Sequence, residues 1–252
     1  LLVVLFIFLS VSSACAGTDA HVVYAPPNNT TEKKIQNDLI ESGVSDSLVS
    51  FINDTFKLRQ PVEIYFGGDD GPLFDGEINR IIIPYVFIKE TMSRFSKASY
   101  DNTGVSSTEA TMDALMHTLL HELAHAVILM YELPVLGKEE DAADGLATVL
   151  LIEFFEDGQE IAISAADLFD IESGDRDVLV DEDFWDEHSL DDQRYYSTLC
   201  HVYGSNPEKY SDIPEELNFS KKRAELCIEE YEILLQSWHQ LLGPYMKHNA
   251  AN

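Results

Sequence analysis

The stretch His-Thr-Leu-Leu-His-Glu-Leu-Ala-His-Ala-Val-Ile, residues 117–128, limits the fold more than any other part of the chain. Leu119, Leu120, Leu123, Val127 and Ile128 ask for burial, yet three imidazoles and a carboxylate sit among them at helical spacing. Polar groups on a buried helix cost free energy unless something pairs with them. His121 and His125 are four residues apart, so they share one face of a helix and can grip one cation. Glu122 follows His121 by one residue and projects about 100° away, where it can hold a water beside that cation. His117 extends the row by a turn. Four ligands from one straight face cannot close a tetrahedron, so His117 is expected to be packed or to support the site from outside. Thr108 is the expected N-cap of this helix, and Pro134 its stop.

A catalytic zinc site takes a third protein ligand and keeps one position open. Lys-Glu-Glu-Asp-Ala-Ala-Asp, residues 138–144, offers candidates after a turn at 133–137. A second helix, from about Lys138 to Phe155, would bring Glu140 back alongside the histidines. Asp144, four further on, shares its face and can accept a hydrogen bond from the outer nitrogen of a zinc histidine. Glu139 and Asp141 are rival ligands, each about 100° off that face.

The chain opens with an apolar run, LLVVLFIFL, then small residues and an Ala14-Cys15-Ala16 site. Residues 1–16 therefore read as a signal peptide, truncated at its start since neither Met nor a basic segment precedes the run. The run is shorter than the roughly 20 residues that span a bilayer. Secretion or periplasmic export is expected, with no membrane span in the mature chain. There Cys200 and Cys227 form an even pair, favouring a disulfide. Sixteen Lys and Arg against 45 Asp and Glu leave a formal charge of −29, which repels nucleic acid and anionic lipid.

Residues 17–34 cluster Pro, Asn and Thr without periodicity and read as a mobile leader, ahead of a single domain over 35–252. A helical pattern runs from Ile35 to Phe56, broken at Gly43 and restarted behind Ser45 and Asp46, with Ile40 on its inner side. Short strands are expected at Val62–Phe66 and Ile78–Ile83, the second closed by Pro84 and so placed at a sheet edge. The acidic stretch 167–193 reads as mostly solvated surface. A last helix spans about 220–245, with Leu226, Ile233, Leu234, Trp238, Leu241 and Leu242 turned inward.

H-E-x-x-H followed by Glu140-x-x-x-Asp144 resembles the gluzincin metallopeptidases, including the HtpX-like membrane zinc peptidases. Longer stretches, among them INRIIIPYVFI, LPVLGKEEDAADGLA and DEHSLDDQRYYSTLCHVYG, resemble a bacterial metallopeptidase family of unknown function. The resemblance implies an α+β, zincin-like domain with a small N-terminal sheet carrying an edge strand, an active-site helix and a mainly helical C-terminal part. It implies Zn²⁺ on His121, His125 and Glu140, with Glu122 as base, Asp144 as support and a peptide or protein as substrate. His188 to Arg194 resembles the H-P-x-x-x-x-R element of the HtpX-like enzymes, with Ser189 in place of Pro. Among His188, Tyr195, His201 and Tyr203, the residues expected to steady the developing oxyanion are His188 and Tyr203. Arg194 is expected alternatively to pair with a nearby carboxylate. The rival expectation is a non-catalytic, zinc-stabilised protein that binds a peptide or cell-wall fragment.

Overall fold

The computed structural model describes residues 19–176 and 178–247. The signal-peptide reading of 1–16 lies outside them. Strand β1 (Ala20–Tyr24) leads into helices α1 (Thr30–Ser42) and α2 (Val44–Thr55), then strands β2 (Val62–Phe66), β3 (Leu73–Asp75) and β4 (Arg80–Ile83). Helices follow: α3 (Tyr85–Lys97), α4 (Ser107–Tyr131), α5 (Glu139–Phe154), α6 (Gly158–Ser173), α7 (Asp181–Trp185), α8 (Asp191–Ser205), α9 (Ile213–Glu216) and α10 (Lys221–Leu242). The architecture is α+β, with one four-stranded sheet ordered β1-β2-β4-β3.

Helix α4 is the central element. It packs against α2, α3, α5, α6, β3 and β4, and Leu119, Leu120, Leu123, Ala124 and Val127 are fully buried. Each large aliphatic side chain so buried contributes roughly 1.5–3 kcal/mol. This helix is apolar and long enough to cross a membrane, but 83% of that apolar window is buried inside the protein. The Ser106 hydroxyl, two residues before the expected Thr108, caps it by accepting from the Glu109 N–H. Glu132 ends it in the left-handed region at φ 54°, ahead of Pro134.

Several expectations are corrected. Residues 20–24 are not part of a leader: Ala-His-Val-Val-Tyr pairs in parallel with Val62–Phe66, and the Asn53 side chain holds both the N–H and the carbonyl of Ala20. The β-branched Val22 and Val23 and the aromatic Tyr24 supply the strand that the following Pro and Asn cluster obscured. The strand ending at Ile83 lies inside the sheet, between β2 and β3, rather than at its edge. Pro84 stands past the last ladder residue, at the N-cap of α3, and so leaves the strand's position open. Ser45 and Asp46 do not cap α2; Gly43, at φ 71°, joins α1 to α2 without a side-chain cap. Ile40 and Ile233 face solvent, at 54% and 65% exposure. Helix α10 buries the expected Trp238 and Leu242, and with them Ala224, Cys227 and Tyr231. The acidic stretch is only partly surface, since α6 and α8 take its two ends and Asp191 is buried against Arg176.

Helices α8 and α10 are bonded through Cys200 and Cys227, whose Cα atoms are 5.1 Å apart. One turn on, Gly204 lets the backbones meet, because a Cβ there would stand 2.3 Å from the Cys227 carbonyl oxygen. Next to α6, Asp113 of α4 accepts a hydrogen bond from Ser164 at 2.8 Å. Burial, helped by Glu109 and Asp157 and only partly opposed by Ser164, raises its carboxyl to about 6. A carboxyl raised on folding favours the protonated native state, so stability contributed at acid pH is lost as pH rises from about 4 through 6. Asp113→Asn keeps an acceptor for Ser164 and removes the buried charge. Chemical denaturation should show the variant more stable than the parent by about 1 kcal/mol at pH 7.5 and level with it at pH 4. A variant less stable at pH 7.5 would contradict this.

Candidate metal centre

The site forms where the middle of α4 meets the start of α5. His121 contacts Asp144 and Glu140 while His125 contacts Glu140 and Glu139, so the two helices run antiparallel here. Glu139, Glu140 and Asp141 occupy the first turn of α5, where carboxylates complement the helix dipole. This local preference stabilises the turn that also delivers Glu140 to the histidines.

Three atoms converge. His121 Nε2 lies 3.1 Å from His125 Nε2 and 3.0 Å from Glu140 Oε2, and His125 Nε2 lies 3.3 Å from the same oxygen. The outer ring nitrogens are engaged elsewhere: His121 Nδ1 with Asp144 Oδ1 at 2.8 Å, His125 Nδ1 with Glu139 Oε1 at 2.9 Å. An ionised carboxylate only accepts, so each Nδ1 carries a proton, and in the neutral form of either ring, the form that binds a cation, Nε2 turns a lone pair inward. Two lone pairs and a carboxylate oxygen then face one point, an arrangement that a cation or added protons must reconcile. A tetrahedral zinc ion with ligands at about 2.0–2.1 Å has edges of roughly 3.3–3.4 Å, close to the observed triangle. The donor set, imidazole and carboxylate, suits that ion.

Charge holds the arrangement in place. Arg194 of α8 clamps Asp144 with two bonds, Nε to Oδ2 at 2.7 Å and Nη2 to Oδ1 at 2.9 Å, and its guanidinium lies 3.9 Å from the Phe169 ring centre. Burial alone would raise the Asp144 carboxyl, but the Arg194 charge and the bonds from His121 and Arg194 hold it well below the usual range. Glu140 is held low in the same way: burial opposes, and the bonds from His121, His125 and His188 prevail. Burial would depress His121, but Asp144 and Glu140 outweigh it and lift the metal-free imidazole to about 9. Glu122 differs. Its burial raises its carboxyl against the pull of His121 and His125, the direction that suits a group taking and returning a proton.

His188 stands at the edge of the same cluster. Its Nε2 is 3.0 Å from Glu140 Oε2, its ring stacks on His121 at 6.2 Å between centres, and 40% of its side chain is exposed. His121, Glu140 and His188 also form a group with metal-binding spacing. Lys138 fixes the approach to His188 by donating to the carbonyls of Asp186 and His188, at 3.0 and 2.9 Å. A cleft of about 340 Å³ opens over these groups, lined also by Leu73 and Phe74 of β3 and by Leu129, Glu139 and Glu187.

The structure thus brings together His121, Glu122, His125, Glu140, Asp144 and His188. It does not bring Tyr203. Nine residues separate it from Arg194 on α8, two and a half turns, so Tyr203 faces the opposite side and packs on the core. Tyr195 also packs against the core, and His201 lines a second cavity of about 320 Å³ between α5 and α8, behind the cluster and bounded also by Asp141, Asp144 and Arg194. His117 is packed: its ring meets Phe169 edge-on at 5.8 Å, and burial keeps it neutral, near 4. Glu139, a rival ligand by sequence, holds the outer nitrogen of His125 instead. Lys138 and Phe169 carried no sequence signal, because their contacts join segments about 25 or more residues apart.

Neither a curated protein nor a solved structure matches the chain. One family model does, over residues 24–242, a span that contains both helices of the site and the His188 to Arg194 segment. The chain belongs to the family described as "Putative metallopeptidase".

Proposed function

We propose that the protein is a zinc-dependent peptidase that hydrolyses peptide bonds with Glu122 as the proton carrier. The observation that carries this reading is the convergence of His121 Nε2, His125 Nε2 and Glu140 Oε2 beneath an open cleft that Glu122 also lines. Those three residues would hold the ion. When bound, zinc supplies Lewis acidity, polarising a carbonyl and acidifying a water.

The chain's own groups do the remaining work. The Glu122 carboxylate takes the proton of the attacking water and returns it to the amine that leaves. His188, exposed at the cleft with its Nε2 toward Glu140, is the donor for the attacked carbonyl oxygen. Asp144, pinned by Arg194, keeps the His121 ring turned so that Nε2 points inward. Strand β3 replaces the strand ending at Ile83 as the edge that aligns an extended substrate, because its one described partner is β4 and it lines the cleft. The reading includes export to an oxidising compartment, which the bonded pair Cys200 and Cys227 supports.

A non-catalytic zinc protein is the rival, favoured by one observation. His188 lies close enough to Glu140 to serve as a fourth protein ligand and close the site.

Glu122→Gln should lower kcat on a fluorogenic peptide by about 10²–10⁴-fold while leaving the zinc content measured by mass spectrometry unchanged. Undiminished cleavage would remove Glu122 from the mechanism, and a parent protein that cleaves no peptide with zinc bound would support the rival. Asp144→Asn should weaken zinc binding about 10–100-fold in competition against a chelator. An unchanged affinity would show that Asp144 does not orient His121.

A further inference from the structure

The cleft lining is of two kinds. Leu73, Phe74 and Leu129 present apolar surface, and Leu129 is 56% exposed. Glu139 at the start of α5 and Glu187 beside His188 present carboxylates. With Glu140 engaged by the imidazoles and Glu122 assigned to proton transfer, these two remain as surplus negative charge. Glu139 gives one oxygen to His125 and is half exposed. Among the described lining residues there is no Lys or Arg. The adjacent cation, Lys138, is turned onto the carbonyls of Asp186 and His188.

We infer that the cleft selects an extended peptide in which a Lys or Arg lies next to an apolar residue, the cation toward Glu187 and Glu139 and the apolar side chain on Leu73, Phe74 and Leu129. Neighbouring side chains of an extended chain point to opposite sides, so a basic–apolar pair meets both kinds of lining at once. The inference rests on the peptidase reading and adds the substrate class to it. The carboxylates are solvent-accessible, so each discriminates modestly and loses effect as salt rises.

The experiment measures anisotropy of two labelled peptides, identical except for Lys or Glu beside a Leu, with the zinc-loaded full chain carrying Glu122→Gln. The Lys peptide should bind about three- to tenfold more tightly. Adding Glu187→Lys should abolish that ratio. Glu225→Lys, the same change of net charge at an exposed position on α10 outside the cleft, should leave most of it. Equal binding of both peptides, binding of neither, or equal loss in both charge reversals would overturn the inference. The last result would mean that the overall charge, not the cleft, attracts cations. The peptidase reading fails separately: a parent protein that prefers the Lys peptide but never cleaves it would refute hydrolysis and leave the selectivity standing.

Discussion

Two imidazole lone pairs and a carboxylate oxygen held within 3.3 Å of one another repel in the absence of positive charge. The surroundings of the site work to keep them there. Asp144 and Glu139 each accept the proton of an outer ring nitrogen and so determine which nitrogen faces inward. Arg194 keeps Asp144 ionised and is itself flattened on Phe169 of α6. The electrostatic demand of one point in the cleft thereby links α4, α5, α6 and α8, which pack against one another in the helical part of the core.

That linkage gives the apolar packing a functional meaning. Leu119, Leu120 and Leu123 are fully buried, and His121 stands on the same stretch of α4 with only 7% of its side chain exposed. A helix so enclosed cannot rotate to move its histidines apart without opening the core. The two imidazoles on α4 are accordingly preorganised, and Glu140 is delivered by a helix start that its own carboxylates stabilise. His188 is different, since it comes from the segment between α7 and α8, α7 buries none of its residues, and Lys138 is the tie that places it. Its more exposed position suits a group that addresses the substrate.

The centre was legible in the sequence because its parts obey helical arithmetic. His121 and His125 repeat at four residues, as do Glu140 and Asp144, and Pro134 marks the turn between the two helices. The contacts that reach across the fold were not legible in the same way. Arg194 stood out as a cation among carboxylates, but its partner lies fifty residues earlier on another helix. Tyr203 has the chemistry of a hydrogen-bond donor, but the helical phase of α8 turns it away from the cleft and onto the core. Strand β1 was hidden by the Pro and Asn residues after it, and β3, three residues long, is too short to show alternation. The family model supports a metallopeptidase independently of these details, and the geometry adds which side chains meet.

Anomalous diffraction at the zinc edge, from crystals of the zinc-loaded protein, addresses the central claim most directly. One peak is expected, bonded to His121 Nε2, His125 Nε2 and Glu140, with solvent completing the coordination. A peak elsewhere, no peak, or His188 occupying the remaining position would contradict an open, hydrolytic centre.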